Sequence, residues 1–336
     1  MHEIVRHKAQ VSVVIVNWNA GPYLKRCLLS VSKQTRCPNE IIIVDNASKD
    51  GSADGIEEAF PRVKVVRLEK NIGFAAANNY AVRLASNESR WVALLNPDAF
   101  PEPSWLERLL AAADVHPECA FWGSRLIQAD HPGILDGEGD YLHISGWAWR
   151  KNRGISAAQK GENPVEIFSP CAAAALYRRD AWEAAGGLDE DFFCYFEDVD
   201  LGFRLRLAGH RCLMAPDAEA YHIGSAVTGG RHSDFAIYHG HRNLVWTYVK
   251  NMPGPLFWLL IPLHIALNLA SVVWFCMRGK GRIILKAKLD AFRGIPRMWQ
   301  KRDDIQKNRS VSAGEIWKAL NKSILPRLSE SFKVYY

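Results

Sequence analysis

The most constraining feature of the chain is an alternation of short apolar runs with amphipathic segments in its N-terminal third. The runs are rich in β-branched residues, which is typical of buried strands. The predicted strands are 11–16, 40–45, 63–67 and 91–95, and the predicted helices are 23–34, 54–60 and 71–85. Strands that alternate with helices in this way predict an α/β fold with a doubly wound sheet and right-handed crossovers.

The last of these strands ends in a turn that carries an acid. Pro97 cannot donate to a sheet ladder and biases Asn96 away from the helical region, so the strand should stop there. Asp98 would then lie at the carboxyl end of a central strand, where open α/β sheets bind ligands. A carboxylate there suits Mg²⁺ or Mn²⁺, which prefer oxygen ligands. An ordinary turn is the plainer alternative, because Asn, Pro and Asp are common turn residues.

Two common ways of holding phosphates on backbone amides are absent from the sequence. No Gly-x-Gly-x-x-Gly follows the first strand, and no Gly-Lys-Ser or Gly-Lys-Thr loop occurs. A metal ion is the natural substitute, because it can neutralise a diphosphate directly.

Four short motifs together resemble the inverting family 2 glycosyltransferases with the GT-A fold, and most closely the bacterial members that include rhamnosyltransferases. They are Val13-Val-Ile-Val-Asn-Trp-Asn19, Val44-Asp-Asn-Ala-Ser-Lys-Asp-Gly-Ser52, Asn71-Ile-Gly-Phe74 with Asn78, and Leu94-Leu-Asn-Pro-Asp98. Each motif is weak alone, but four in order at these spacings are specific. The resemblance covers 11–222 and implies a GT-A domain over 1–230.

The resemblance implies a site for a nucleotide-diphosphate sugar at the strand ends. In such enzymes the carboxylate after the second strand binds the nucleotide base, which implies that role for Asp45, with Asn17 and Asn71 nearby. The segment at 96–98 stands where the family has Asp-x-Asp. Asn96 departs from that pattern and removes one carboxylate. We therefore expect Asp98 to bind the metal and Asn96 to contact the donor ribose.

An acidic cluster near residue 200 contains the candidate base. Glu197, Asp198 and Asp200 open a predicted helix, where negative charge suits the helix dipole. A well-capped amphipathic helix is the plainer explanation, although like charges this crowded repel unless something offsets them. The segment resembles the acceptor side of the family, which ends in a Glu-Asp motif. The resemblance implies that Asp198 is the general base, with Glu197 as its partner in the motif.

A histidine follows a short predicted edge strand at 211–215. A lone histidine is more often packed or hydrogen-bonded than metal-bound. In the family, however, a histidine at this place can supply a further protein ligand, so the resemblance implies a metal role for His222. Imidazole is a better ligand for Mn²⁺ than for Mg²⁺.

The stretch 130–164 has no clear periodicity. Loops of that length are uncommon unless they are functional, and we expect this one to shape the acceptor site. Trp147 and Trp149 could stack on sugar rings, and simple surface packing is an equal alternative.

The C-terminal region, 231–336, is predicted to be helical, basic and membrane-associated. It begins within a segment rich in Gly, Ser and His, 224–240, that we predict to be a mobile loop. No formally charged residue occurs from 256 to 277, and about 20 apolar residues can span a bilayer. Between 278 and 309 there are eleven Lys or Arg against three Asp, which indicates an anionic partner.

We expect that partner to be an anionic membrane surface and not nucleic acid, because lipid better explains the adjoining apolar run. A single span would carry the basic tail across the membrane, against the positive-inside bias. An in-plane or re-entrant helix at the cytoplasmic face is therefore favoured, while a single span and a buried soluble helix remain alternatives. The first residues have no signal-peptide core, and the seven scattered cysteines suit a reducing cytoplasm.

The resemblance thus implies metal-assisted, inverting transfer of a sugar from dTDP-rhamnose or a UDP-sugar to a hydroxyl of a cell-surface glycan or lipid-linked acceptor. Two alternatives stay open. A sugar nucleotidyltransferase would want a Gly-rich basic loop, which 13–21 lacks. A degenerate sugar-nucleotide-binding membrane scaffold has Asn96 as its only hint.

Overall fold

A computed structural model describes residues 9–224 and 233–323. The strands are β1 (Ala9–Asn17), β2 (Pro38–Asp45), β3 (Val63–Arg67), β4 (Trp91–Leu95), β5 (Ala99–Pro101), β6 (Cys119–Gln128), β7 (Leu135–Gly137), β8 (Asp140–Leu142), β9 (Ala148–Arg150), β10 (Val165–Glu166), β11 (Ala174–Arg178) and β12 (Arg211–His222). The helices are α1 (Tyr23–Ser32), α2 (Ile56–Ala59), α3 (Phe74–Arg83), α4 (Trp105–Val115), α5 (Arg179–Ala184), α6 (Glu197–Leu207), α7 (Asp234–Asn251), α8 (Gly254–Met277), α9 (Gly281–Lys307) and α10 (Ala313–Ala319). A 3-10 turn, Glu190–Phe192, precedes α6.

One mixed sheet organises the first part of the chain, with the strand order β10-β12-β6-β11-β4-β1-β2-β3. β1 pairs in parallel with β2 and β4, and β2 pairs in parallel with β3. β11 runs antiparallel between β4 and β6. The predicted α/β fold with a doubly wound mixed sheet is confirmed.

The side chains of β1 alternate between two hydrophobic cores, because successive Cβ atoms of a strand point to opposite faces. Val13 and Ile15 pack in the core that includes α1 and α4. Val14 and Val16 pack in the core that includes α3 and α6. The sheet is therefore covered on both faces, as a central run of apolar residues requires, and the strand ends are left for a ligand.

The strand predictions hold best where β-branched residues are continuous, and both 63–67 and 91–95 match β3 and β4. The prediction of a short edge strand at 211–215 is wrong, because β12 has 12 residues and lies between β6 and β10. The apolar pattern stops at Pro216. The register of β12 on β6 shifts between Ala215 and Glu219, and such an irregularity is a place where a strand tolerates proline.

Two predicted loops contain regular structure. The aperiodic stretch 130–164 forms β7 and an antiparallel pair of β8 with β9. In the predicted mobile loop 224–240, residues 225–232 lie outside the described residues, as does the predicted domain boundary at 230. The loop prediction is wrong for the remainder, because α7 begins at Asp234 and the Ser233 side chain caps it by accepting from the backbone nitrogen of Ala236.

The helices α8 and α9 lie side by side over α7. Nζ of Lys288 in α9 donates to Oδ1 of Asn268 in α8 at 2.6 Å. In α7, the hydroxyl of Tyr248 donates to a backbone carbonyl of α8, and Nε1 of Trp246 donates to one of α9. α7 therefore contacts both members of the pair.

Both outer helices expose apolar side chains. α8 is long and apolar enough to cross a membrane, and only 28% of its most apolar window is buried. Its exposed large residues are Trp258, Leu259, Leu263, Ile265, Leu269, Val273 and Met277. α9 adds Leu285, Leu289, Phe292 and Trp299. The sequence pattern indicates only a basic tail in this part of the chain, and the apolar stripe of α9 was not predicted.

Candidate active site

A cavity of about 410 Å³ opens at the carboxyl ends of β1 and β4, the edge at which α/β sheets bind ligands. Its walls come from the strand ends, the β8–β9 pair, the first turn of α6 and the first turns of α7. The predicted site residues that line it are Asn71, Asn96, Asp98, Glu197, Asp198 and His222.

Asp98 and His222 face each other on one wall, because the end of β12 pairs with β5 directly after Asp98. Nε2 of His222 lies 3.4 Å from Oδ1 of Asp98. The other ring nitrogen, Nδ1, lies 2.8 Å from Oδ2 of buried Asp136. Burial lowers the pKa of His222, but the two carboxylates outweigh it and raise the pKa to about 9. Asp136 lies in the aperiodic stretch and was missed by the sequence analysis.

The same pair fits a divalent cation that takes few ligands from the protein. Among residues 9–224 and 233–323, no group of three or more His, Cys, Asp or Glu could hold a metal ion. Nε2 of His222 is nevertheless buried without a hydrogen-bond partner, and a cation bound there would replace the proton that the raised pKa keeps on the ring. Asp136 fixes the ring from behind, as carboxylates do at metal-bound histidines. Mg²⁺ commonly takes one or two protein carboxylates plus substrate phosphates. Asp98 and His222 together are therefore compatible with such a cation.

Asn17 and Asp45 are buried at the ends of β1 and β2 and bond to each other. Nδ2 of Asn17 donates to Oδ1 of Asp45 at 2.8 Å. The neighbouring Asn46, which the sequence analysis did not single out, lines the cavity together with Asn71. Its Nδ2 donates to Oδ1 of Asn71 at 2.9 Å, and its Oδ1 accepts from the backbone nitrogen of Ile72 at 2.9 Å. This amide pair joins the second and third motifs at the cavity edge.

Asp198 lies in the first turn of α6 and is half-buried. Its carboxylate accepts from the backbone nitrogens of Ala172 at 3.2 Å and Val199 at 2.8 Å. Burial raises the pKa of Asp198 in spite of these hydrogen bonds, which makes the carboxylate a stronger base. Burial and the charge of Asp198 raise the pKa of Glu197 well above its usual range. Glu197 therefore tends to hold its own proton, and because it is also more deeply buried than Asp198, it is the less suitable proton acceptor.

Two arginines reach the cavity from β9 and the residues that follow it. Arg150 forms an ion pair with Asp136, and Nη2 of Arg153 lies 3.0 Å from the same carboxylate. Nε of Arg150 also lies 3.9 Å from Asp140. Burial, with the nearby charges of Asp198 and Asp136, raises the pKa of Asp140 to about 7 despite Arg150. The sequence pattern of Arg150 and Arg153, close to two tryptophans, indicates an anionic ligand. The acidic partners of these arginines could not be identified from the sequence.

Trp147 and Trp149 also line the cavity, so both rings are placed where a sugar could stack. They pack against protein as well. The ring centroid of Trp149 lies 5.8 Å from that of Tyr141, and that of Trp147 lies 6.0 Å from that of His241. The two interpretations of the sequence are thus compatible.

The cavity wall just before Asp198 has an unusual backbone. Phe193, Tyr195 and Phe196 have positive φ angles of 64°, 67° and 68°, a region that costs a non-glycine residue roughly 1–3 kcal/mol. The backbone nitrogen of Cys194 donates to the carbonyl of Phe192 at 2.7 Å, which closes a γ-turn with positive φ at its centre. Such a conformation persists only where the surrounding structure holds it.

Comparison with known proteins identifies the family. The family model described as Glycosyl transferase family 2 matches residues 12–185. A curated relative from Mycobacterium tuberculosis, named N-acetylglucosaminyl-diphospho-decaprenol L-rhamnosyltransferase, is 31% identical over 241 residues, which are 65% of this chain and 77% of the relative.

Solved structures share the fold. GalNAc-T7 with UDP, GalNAc and Mn²⁺ matches with a TM-score of 0.58 and 18% identity, over 71% of this chain and 47% of that one. The mannosyltransferase PcManGT from Pyrobaculum calidifontis, in complex with GDP-Man and Mn²⁺, matches with a TM-score of 0.53 and 17% identity, over 93% and 88% of the two chains. Both neighbours hold a nucleotide and Mn²⁺. By its family match, the chain belongs to glycosyl transferase family 2, and it is a glycosyltransferase with the GT-A fold.

Proposed function

We propose that the chain is an inverting glycosyltransferase that moves a sugar from dTDP-rhamnose or a UDP-sugar to a hydroxyl of a lipid-linked or cell-surface glycan acceptor. The observation that carries the proposal is the placement of Asp198 on the same cavity as the Asp98–His222 pair. One cavity would thus hold the proposed base at one wall and the proposed cation ligands at the other. The name of the Mycobacterium relative supports rhamnose as the sugar and a diphospho-polyprenol as the acceptor.

The donor would lie along the strand ends. We assign Asp45 to the nucleotide base, with Asn17 holding its carboxylate in place, and Asn71 and Asn96 to the ribose side. Asp98 and His222 would hold Mg²⁺ or Mn²⁺, and the cation supplies charge neutralisation for the diphosphate.

The acceptor hydroxyl would lie between Asp198 and the anomeric carbon. Asp198 takes its proton while the hydroxyl oxygen bonds to the anomeric carbon from the face opposite the diphosphate. The bond from that carbon to the diphosphate oxygen breaks with its electron pair, and the configuration inverts. Positioning of the two substrates provides most of the rate, since no covalent intermediate is formed. Glu197 shapes the α6 terminus beside the base.

We further propose that 231–336 is a membrane-associated region that attaches the 1–230 domain to the cytoplasmic face of the membrane. The exposed apolar residues of α8 and α9 support attachment, and the exposed Arg282, Lys286, Arg293 and Arg297 of α9 suit anionic headgroups. An in-plane arrangement keeps the basic helix on the cytoplasmic side.

A panel of nucleotide-sugars tests this function in the full chain. We expect dTDP-rhamnose or one UDP-sugar to raise the melting temperature in the presence of Mn²⁺ and not in the presence of EDTA, because only a ligand bound to the folded state stabilises it. The same donor should then glycosylate an N-acetylglucosaminyl-diphospho-polyprenol with inversion. A chain that no nucleotide-sugar stabilises, with either cation, would contradict the proposal.

A further inference from the structure

The strained turn in front of the base is held by one side chain of α7. Asn243 is fully buried. Its Nδ2 lies near three carbonyl oxygens of the turn, at 2.9 Å from that of Phe192, 2.9 Å from that of Cys194 and 2.7 Å from that of Tyr195. A primary amide has two N–H donors, so this turn uses the whole donor capacity of Asn243.

Arg242 fixes the orientation of that amide. Its Nε donates to Oδ1 of Asn243 at 2.9 Å, which directs Nδ2 toward the turn. Its Nη2 donates to the carbonyls of Phe192 at 2.9 Å and Asp191 at 3.1 Å. The guanidinium also lies 4.2 Å from the ring centroid of Trp246. Arg242 and Asn243, which are neighbours in α7, therefore both hydrogen-bond the turn from the same side.

The opposite side of the turn rests on the third sequence motif. The backbone nitrogen of Ala75 donates to the carbonyl of Phe193 at 3.2 Å. A Cβ at Gly73 would lie 2.6 Å from Cδ2 of Phe193, so only glycine allows this approach. The turn is thus enclosed between the third sequence motif, at 71–74, and α7.

We propose that Asn243 is a positioning residue for Asp198, acting through the turn Phe192–Phe196. Phe196 is the residue immediately before α6, and Asp198 is in the first turn of that helix. Without the Asn243 donors, three carbonyls lose a partner and the left-handed residues are free to relax, which displaces the start of α6. The inference rests on the proposed function for the assignment of Asp198 as the base.

The first test separates turnover from donor binding. Asn243→Asp has nearly the same shape but lacks the N–H donors, and Asn243→Ala removes the side chain. We expect kcat for transfer to fall on the order of 100-fold, as displacement of a reacting group by about 1 Å does, while the affinity for the donor nucleotide with Mn²⁺ stays within about twofold of wild type.

Thr247→Ala is the matched control. Thr247 is on the same helix, is 1% exposed and has an Oγ1 without a hydrogen-bond partner. Its truncation disturbs the packing around α7 but removes no hydrogen bond to the turn. We expect Thr247→Ala to lower the melting temperature and to leave kcat unchanged. An equal loss of kcat in Thr247→Ala and Asn243→Asp would overturn the positioning role.

A second test measures the opening of the turn by the alkylation rate of Cys194, without using activity. Cys194 lies within the turn, half-buried on the cavity wall. Desolvation raises the pKa of its thiol well above the usual range, so the thiolate should be scarce and alkylation slow enough in wild type for an acceleration to be measured. We expect Asn243→Asp to accelerate its alkylation, mapped by mass spectrometry, by roughly tenfold, as a local opening would. Cys27, fully buried in the first core, should stay unreactive in every variant.

The two measurements together decide the proposal. The proposal is overturned if Cys194 alkylates in Asn243→Asp as slowly as in wild type. It is also overturned if alkylation accelerates while kcat stays at the wild-type value. If wild type transfers sugar from no donor, the proposed function is wrong, and the hold of Asn243 on the turn is then judged by the alkylation rates alone.

Discussion

Nδ1 of His222 lies 2.8 Å from Oδ2 of Asp136, and this contact directs the opposite ring nitrogen toward Asp98. Asp136 also pairs with Arg150 and Arg153. Burial opposes its ionisation, but Arg150 and His222 hold the pKa of Asp136 well below its usual range. One buried carboxylate therefore connects the Asp98–His222 wall of the cavity to its arginines.

Asp136→Asn should weaken Mn²⁺ binding without removing a proposed ligand. Loss of a carboxylate behind a metal-bound histidine typically lowers metal affinity about 10–100-fold. Titration calorimetry of Mn²⁺ in the presence of UDP or dTDP measures the change. Asp140→Asn is the control, because Asp140 also neighbours Arg150 but its pKa of about 7 leaves it partly neutral already. Unchanged Mn²⁺ affinity in Asp136→Asn would remove Asp136 from this role.

Asp98→Ala should weaken donor binding and Mn²⁺ binding together. The diphosphate and the cation are expected to bind as one unit, so removal of the carboxylate affects both. Calorimetry with each ligand alone and with both present measures the coupling. Donor affinity that still depends on Mn²⁺ as in wild type would exclude Asp98 from the metal site.

Asp198→Asn should abolish transfer and leave donor affinity nearly intact, since an amide cannot accept the proton. In wild type, kcat should rise with pH as Asp198 deprotonates. Because burial raises the pKa of Asp198, the acid limb of the kcat profile should lie above the ordinary aspartate value of about 3.9. Asp140→Asn should keep this limb. Its disappearance in that variant would assign the limb to Asp140.

Membrane binding should have one part that salt screens and one that it does not. Headgroup attraction is worth ~1 kcal/mol per basic residue and is screened by salt, so Arg282→Gln with Lys286→Gln should weaken vesicle binding only at low salt. Replacement of the exposed Leu263, Leu269 and Phe292 by Gln should weaken it at high salt as well. Co-sedimentation with anionic vesicles measures both. If high salt alone releases the wild-type protein from the vesicles, the apolar residues of α8 and α9 are not inserted in the bilayer.

The sequence was informative wherever structure depends on local pattern. β3 and β4 follow directly from continuous apolar runs, and Asp198 lies at the start of α6 as the acidic cluster indicates. It was uninformative where a side chain matters through a distant partner. Nothing near Asp136 indicates that His222 is its neighbour, and Asn243 reaches a turn some fifty residues earlier in the chain. The length of β12 was underestimated, because a proline at a bulge cannot be distinguished in the sequence from a proline at a strand end.

Within seven residues, α7 meets both the cavity and the outer helices. Phe235 and Gly240 line the cavity, whereas the hydroxyl of Tyr238 donates to Asp290 of α9 at 2.8 Å, and the ring of His241 lies 4.9 Å from that of Phe275 in α8. If α8 and α9 bind lipid as proposed, the depth at which they lie should therefore alter the cavity wall. Water competes with the acceptor for an activated sugar. A cavity wall that is completed only at the bilayer would leave the donor unactivated while the enzyme is detached, and would so limit that hydrolysis.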